Sequence, residues 1–246
     1  LKRVCIKLNL KLIILENPMF LCKKSDLNFF KPDKKKFFQT SFYKSQREKF
    51  NILIDIAGGP EGGSWTYDTM NREKYPTNKK PPEIMSVNDK SELLSETYDY
   101  INNFYTKNYG NLESEFFYPT DFEQSKKWFN DFLENRFKEF GPYEDAIIDS
   151  ESFLNHSLLS PLLNTGLLNV NFVISHTIEF YKKNDIPLNS CEGFIRQILG
   201  WREFIRGIYF AKSVEERTKN YWNFKRKIPH SFYDGSTNIL PVDICL

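Results

Sequence analysis

The run CEGFIRQILGWREFIRGIYF, residues 191–210, constrains the fold most: it has the period of one long helix and carries an arginine inside its apolar arc. At a helical step of roughly 100° per residue, Phe194, Ile198, Trp201, Ile205, Ile208 and Tyr209 share a broad face, extended by Ile195, Leu199 and Phe210. Arg196, Gly200, Glu203 and Gly207 fall opposite, whereas Arg202 lies between Ile198 and Leu199. A guanidinium in that position keeps its proton and needs an anionic or carbonyl partner. Two arrangements meet the need. In one, Arg202 forms an internal salt bridge to an Asp or Glu, and Gly200 and Gly207 pack on a neighbouring helix. In the other, an anionic ligand such as a phosphate sits there beside Trp201.

The chain has 246 residues, room for one large domain or two modest ones. A net charge of +2 decides nothing about nucleic acid, but the distribution is uneven: basic residues dominate from Lys2 to Lys49, most densely in KPDKKKFF. Such a run reads first as a solvated surface and second as a nucleic-acid patch. Cys5, Cys22, Cys191 and Cys245 are scattered, with no CxxC pair, which excludes a readable zinc knuckle or disulfide framework and favours an intracellular chain, cytoplasmic in a prokaryote. No apolar run reaches the length of a membrane span, and LKLIILENPMFL is broken by Glu16, Asn17 and Pro18. The start at Leu1 and the stop after ICL read as those of a fragment or a split gene product.

Along the chain, KLIIL at 11–15 and ILIDI at 52–56 suit short buried strands, with a helix over 34–50 between them. The Gly- and Pro-rich stretch GGPEGGSWTYDTMNR, continuing to YPTNKKPPEI, predicts a long loop; its glycines carry only a weak phosphate signal, because no P-loop Lys-Ser or Lys-Thr follows. After Asp89 helical patterns take over. A helix is expected over 91–105. Another begins at the capping box Thr120-Asp121-Phe122-Glu123, runs to Gly141-Pro142, and buries Trp128, Phe129, Phe132, Leu133, Phe137 and Phe140. A third covers 171–183. The expected class is α+β, predominantly α.

Three blocks stand in order: FGPYEDAI at 140–147, NHSLLSPLLNTGLL at 155–168, and GFIRQILGWREFIRG at 193–207. Together with PEGGSWTYDTMNR they resemble the photolyase/cryptochrome family, in particular its prokaryotic iron–sulfur (6-4) photolyase-related branch. The resemblance implies the tail of an α/β, Rossmann-like antenna domain at 1–57, an interdomain loop and linker at 58–88, and the first half of an all-helical FAD-binding domain at 89–246.

It implies FAD as cofactor, with a diphosphate cradle at His156, Ser157, Leu158, Leu159 and Ser160, Tyr143 packed near the flavin, and Gln197, Trp201 and Arg202 facing it. Trp201 would also meet a flipped lesion in UV-damaged DNA. Cys245 resembles the first of four ligands to a [4Fe–4S] cluster, whose other ligands are expected after Leu246. The family's catalytic histidine is expected after Leu246 too, so no catalytic residue falls within the chain; His156, His176 and His230 do not take that place. Tyr233 stands where many members carry a Trp. An antenna chromophore belongs to complete members. The implied activity is light-driven electron transfer from FAD that repairs UV-damaged DNA. A cryptochrome-type blue-light photoreceptor and an inactive remnant, or one part of a split gene partnered by a separate C-terminal half, are the alternatives.

Overall fold

The computed structural model describes all residues except 32, 88–91, 110, 111, 113–115, 245 and 246. Its helices are α1 (Lys2–Lys7), α2 (Gln39–Phe50), α3 (Glu92–Phe104), α4 (Phe122–Asn135), α5 (Ser160–Thr165), α6 (Val170–Lys183), α7 (Leu188–Ile195), α8 (Glu203–Thr218), α9 (Ser231–Asp234) and α10 (Leu240–Asp243). A π-helical segment, Arg196–Arg202, joins α7 to α8 into one rod. The molecule is predominantly helical, as its sequence pattern predicts.

The two short strands are absent among the described residues. Residues 11–15 are exposed and form no regular element, with no neighbouring strand among the described residues to take up their backbone groups. ILIDI fails as a strand because Asn51 and Leu53 take left-handed φ values of 53° and 50°, and the segment turns back on α2. Arg47 clamps that turn: its guanidinium donates to the carbonyl oxygens of Ile52, Leu53 and Trp65. Only an isolated bridge from Ile54 to Pro60 remains.

Helix α4 follows its apolar period. Trp128, Phe129, Phe132 and Leu133 are buried, as are Phe137 and Phe140 in the turns beyond it. Its start differs from the expected box by one residue: Asp121 is the N-cap, and its side chain accepts the Gln124 N–H at 2.8 Å. Asp121→Ala should therefore cost about 0.5–2 kcal/mol, read as a lowered thermal midpoint, with Asp121→Asn close to wild type. The helix ends at Asn135, before Gly141. Gly141 serves a different purpose, close approach: a Cβ there would lie 2.7 Å from the Ser190 amide nitrogen of α7. Its own N–H donates to the Ser190 hydroxyl at 2.9 Å.

One apolar core joins Tyr43, Ile52 and Leu53 to the phenylalanines of α4, to α5 and α6, and to Phe194, Ile195, Ile198 and Leu199. A satellite cluster of Cys22, Leu27, Phe30, Phe42 and Phe204 seals the N-terminal segment onto α8. Residues expected in two domains thus share a core, and separate cores do not mark the expected boundary between 57 and 89.

Candidate functional site

The rod 188–218 is where the simple helical wheel and the structure part. Arg196, Gly200, Glu203 and Gly207, expected on the outer side, are all buried. Each meets the N-terminal segment or the loop. Glu203 accepts the backbone N–H groups of Leu21 and Cys22. Gly200 lies under Gln39 and Tyr43 of α2, and Gly207 under the ring of Phe30. Gly200 thus packs on a neighbouring helix, as the first of the two arrangements expects, whereas Gly207 packs on a ring of the N-terminal segment outside any helix. Conversely Trp201, Ile205, Tyr209 and Phe210 of the apolar arc are exposed, Trp201 at 43%. A π turn, bonded i to i+5, takes in extra backbone, so positions beyond it shift relative to a straight wheel; such turns are rare and recur at functional sites.

Arg202 is half-buried and makes no ion pair with a carboxylate among the described residues, which removes the internal salt bridge. It takes carbonyls instead: it donates to Met19 O, and its other nitrogen lies 3.5 Å from both Leu163 O and Asn164 Oδ1. Its guanidinium also stacks 4.3 Å from the Phe20 ring centroid, and Arg206 covers the same ring. Arg202 thus feels Glu203 only at longer range than an ion pair.

Arg196, in contrast to Arg202, is ion-paired on three sides. Only 6% exposed, it meets Asp68 at 3.1 Å, Glu144 at 3.2 Å and Glu192 at 3.3 Å. The 3.3 Å contact lacks hydrogen-bond geometry, so it is electrostatic in character. The long loop closes this cluster from outside. Tyr67 N–H donates to Glu192 Oε2 at 2.9 Å, and Asn71 Nδ2 donates to Glu144 Oε2 at 2.7 Å. Burial is the largest influence on both glutamates and holds both pKa values above the ordinary carboxylate range, with Arg196 opposing it.

Beside this cluster a cavity of about 720 Å³ opens between the 155–165 segment and the rod. His156, Ser157, Leu158, Leu159, Ser160, Gln197, Trp201 and Arg202 all line it. Leu158 adopts a left-handed φ of 56°, which folds the 157–160 turn back before α5. The hydroxyls and amide N–H groups of Ser157 and Ser160 have no partner among the described residues, which leaves four donors for a ligand. His156 is less free, with Nδ1 2.9 Å from Phe153 O and Nε2 3.1 Å from Glu144 O.

Tyr143 is the exception among the expected residues. It is buried outside the lining, 4.6 Å from the Tyr75 ring and under Lys79. Its neighbour Glu144 and Asp145 line the cavity instead. Glu144 stands inside the quoted block FGPYEDAI, but a glutamate there has no spacing that marks it as buried. Asn164 and Leu163 were likewise unmarked; they follow from the turn of α5. Cys245 lies outside the described residues. Cys22 and Cys191 are buried free thiols, raised well above the ordinary thiol range by burial. No helix among the described residues is long and apolar enough to cross a membrane.

A family profile described as "Deoxyribodipyrimidine photo-lyase-related protein" matches residues 1–117. A (6-4) photolyase of Agrobacterium fabrum (strain C58 / ATCC 33970) is 35% identical over 202 residues, 80% of this chain and 38% of its own length. Two proteins of Acanthamoeba polyphaga mimivirus also match. "Uncharacterized protein R853" is 39% identical over 105 residues, 42% of this chain and 80% of its own length. "Uncharacterized protein R852" is 43% identical over 72 residues, 28% of this chain and 36% of its own length. The chain thus spans well under half of the photolyase it matches. By the profile match over residues 1–117 and by identity that extends over 80% of its residues, the chain is similar to the photolyase-related family.

Proposed function

We propose that the cavity between residues 155–165 and the rod is an FAD site, and that the chain forms part of a (6-4) photolyase-like flavoprotein acting on UV-damaged DNA. The observation that carries this reading is convergence: residues from two sequence blocks some forty apart meet on one cavity. The chemistry of the lining fits a dinucleotide. Its volume lies within the range of small-molecule sites, apolar walls come from Leu158, Leu159, Leu163 and Ile198, and the other half of the lining is polar or charged. Unpartnered donors at Ser157 and Ser160 suit a diphosphate. Arg202, with no carboxylate at ion-pair distance among the described residues, suits an anion, and the half-exposed Trp201 offers a face to a flat ring.

When bound, a reduced flavin excited by light would supply one electron to a lesion that joins two adjacent pyrimidines of one strand. The chain's own part is to hold and orient. Ser157 and Ser160 anchor the phosphates, Leu159 and Ile198 exclude water, and Trp201 stacks where a flipped pyrimidine arrives. Lys34, Lys35 and Lys36 are exposed on one turn and suit contact with the DNA backbone.

A [4Fe–4S] cluster using Cys245, and an antenna chromophore, belong to the same proposal at the level of the family. So does a separate polypeptide supplying further helices. Two features support it: the exposed strip Ile205, Tyr209, Phe210 and Val214 on α8, and the short mimivirus relative that this chain matches over 80% of its length.

Competition among FAD, FMN and riboflavin tests the site. FAD should bind more tightly than riboflavin, and Ser157→Ala/Ser160→Ala should erase that preference. Equal binding of FAD and riboflavin by the unaltered chain would remove the diphosphate cradle from the proposal.

A further inference from the structure

Gln197 and Glu144 both line the cavity, and they touch. Gln197 Nε2 donates to Glu144 Oε1, and also approaches Gly193 O at 3.5 Å. Glu144 is not free to follow it. Its other oxygen accepts from Asn71 Nδ2 at 2.7 Å and from Arg196 at 3.2 Å, and its side chain is 11% exposed. Arg196 in turn is fixed by Asp68 and Glu192.

A carboxamide has two ends of similar shape and opposite hydrogen-bonding sense, and its orientation is set by its neighbours. A carboxylate accepts only, so it must face the Gln197 NH₂ group; the reverse orientation would oppose two acceptors. Gln197 Oε1 then has no partner among the described residues and is the group left for a ligand. An amide held this way is an acceptor. An amide free to turn serves equally as donor or acceptor.

We infer that Glu144 is a positioning residue that locks the Gln197 carboxamide with its carbonyl toward the cavity. The cavity therefore selects a ligand presenting an N–H at that point, of the imide class in which the N–H is flanked by two carbonyls. Flavin and thymine rings both carry that group. The inference rests on the cavity being the ligand site proposed above, and it adds the sign of one hydrogen bond and the residue that sets it.

Methylating the imide nitrogen removes the donor and keeps the ring. The probes are FAD and N3-methyl-FAD, and a thymidine dinucleotide with its N3-methylated counterpart. Each is titrated into the full chain and followed by flavin fluorescence or by Trp201 emission. Wild type should bind at least one unmethylated probe about tenfold or more tightly than its methylated form, the loss expected for one buried hydrogen bond. In Glu144→Gln the amide of Gln197 can turn, and the ratio should fall below about threefold while circular dichroism stays unchanged. Should that variant fail to fold, Glu144→Asp is read the same way: it keeps a charge for Arg196 but withdraws the oxygen from Gln197.

A ratio near one in wild type, or a ratio that Glu144 variants leave intact, overturns the inference. Discrimination in the thymidine arm alone keeps the inference and removes the flavin reading. Flavin binding with no effect of methylation in either arm keeps the flavin reading and overturns the inference. Binding of none of the four probes overturns both.

Discussion

Arg196→Ala should destabilise the chain by about 3–5 kcal/mol, read as a shift in the urea midpoint with little change in slope. The residue is buried, and its removal leaves Glu192, with no exposed surface, and Glu144 without their cation. Breaking one side of a buried pair costs far more than the pair contributes, because the remaining charge stays desolvated. Arg196→Lys should rescue little, since an ammonium is a point charge and cannot span three carboxylates on separate elements. Arg202→Ala should cost much less: that guanidinium is half-buried, and the carbonyls it leaves can turn to water. Equal destabilisation by Arg196→Ala and Arg202→Ala would contradict the burial order of the two arginines.

The second large effect is expected at Phe132. Its ring is fully buried, with Phe194 at 4.9 Å, Phe137 at 5.6 Å and Phe140 at 6.0 Å between centroids. Phe132→Ala removes the common neighbour of those rings and should cost about 3–5 kcal/mol in thermal or urea unfolding. The effect extends to the site, because Phe140 and Phe194 are cavity walls. Loss of their support should weaken ligand binding even where the fold survives. Phe172→Ala on α6 removes a ring from the edge of the same core and serves as the control. A cost for Phe132→Ala no larger than for Phe172→Ala would mean that the aromatic stack does not carry the core.

The aromatic period of α4 was legible in the sequence because an amphipathic helix against a core obeys a fixed angular step, and Trp128 to Leu133 obey it; Phe137 and Phe140 are buried from the turns beyond the helix. Of the nine cofactor residues named through the family resemblance, eight line one cavity, and Tyr143 packs beside Tyr75 outside its lining. The inversion of the rod was not legible. The wheel kept Arg196, Gly200, Glu203 and Gly207 on one face, as the structure does, but a wheel does not say which face is covered. Nor could hydrophobicity foresee that Arg196 and Glu203 are buried while Ile205 and Tyr209 are exposed. That order depends on partners more than one hundred residues away, Asp68 in the loop and Leu21 and Cys22 in the N-terminal segment. The missing strand at 52–56 has a similar cause: Arg47 offers its carbonyls a closer partner than any strand.

The central claim is that the cavity beside Ser157, Ser160 and Trp201 holds FAD, and filling it tests that claim most directly. FAD would be titrated into the chain and into Leu163→Trp, followed by the visible absorption band and flavin fluorescence, with circular dichroism confirming the fold of both. Binding to the unaltered chain, lost in the folded Leu163→Trp variant, is the result this account predicts. Undiminished binding to the filled variant, or no binding to either, would contradict it.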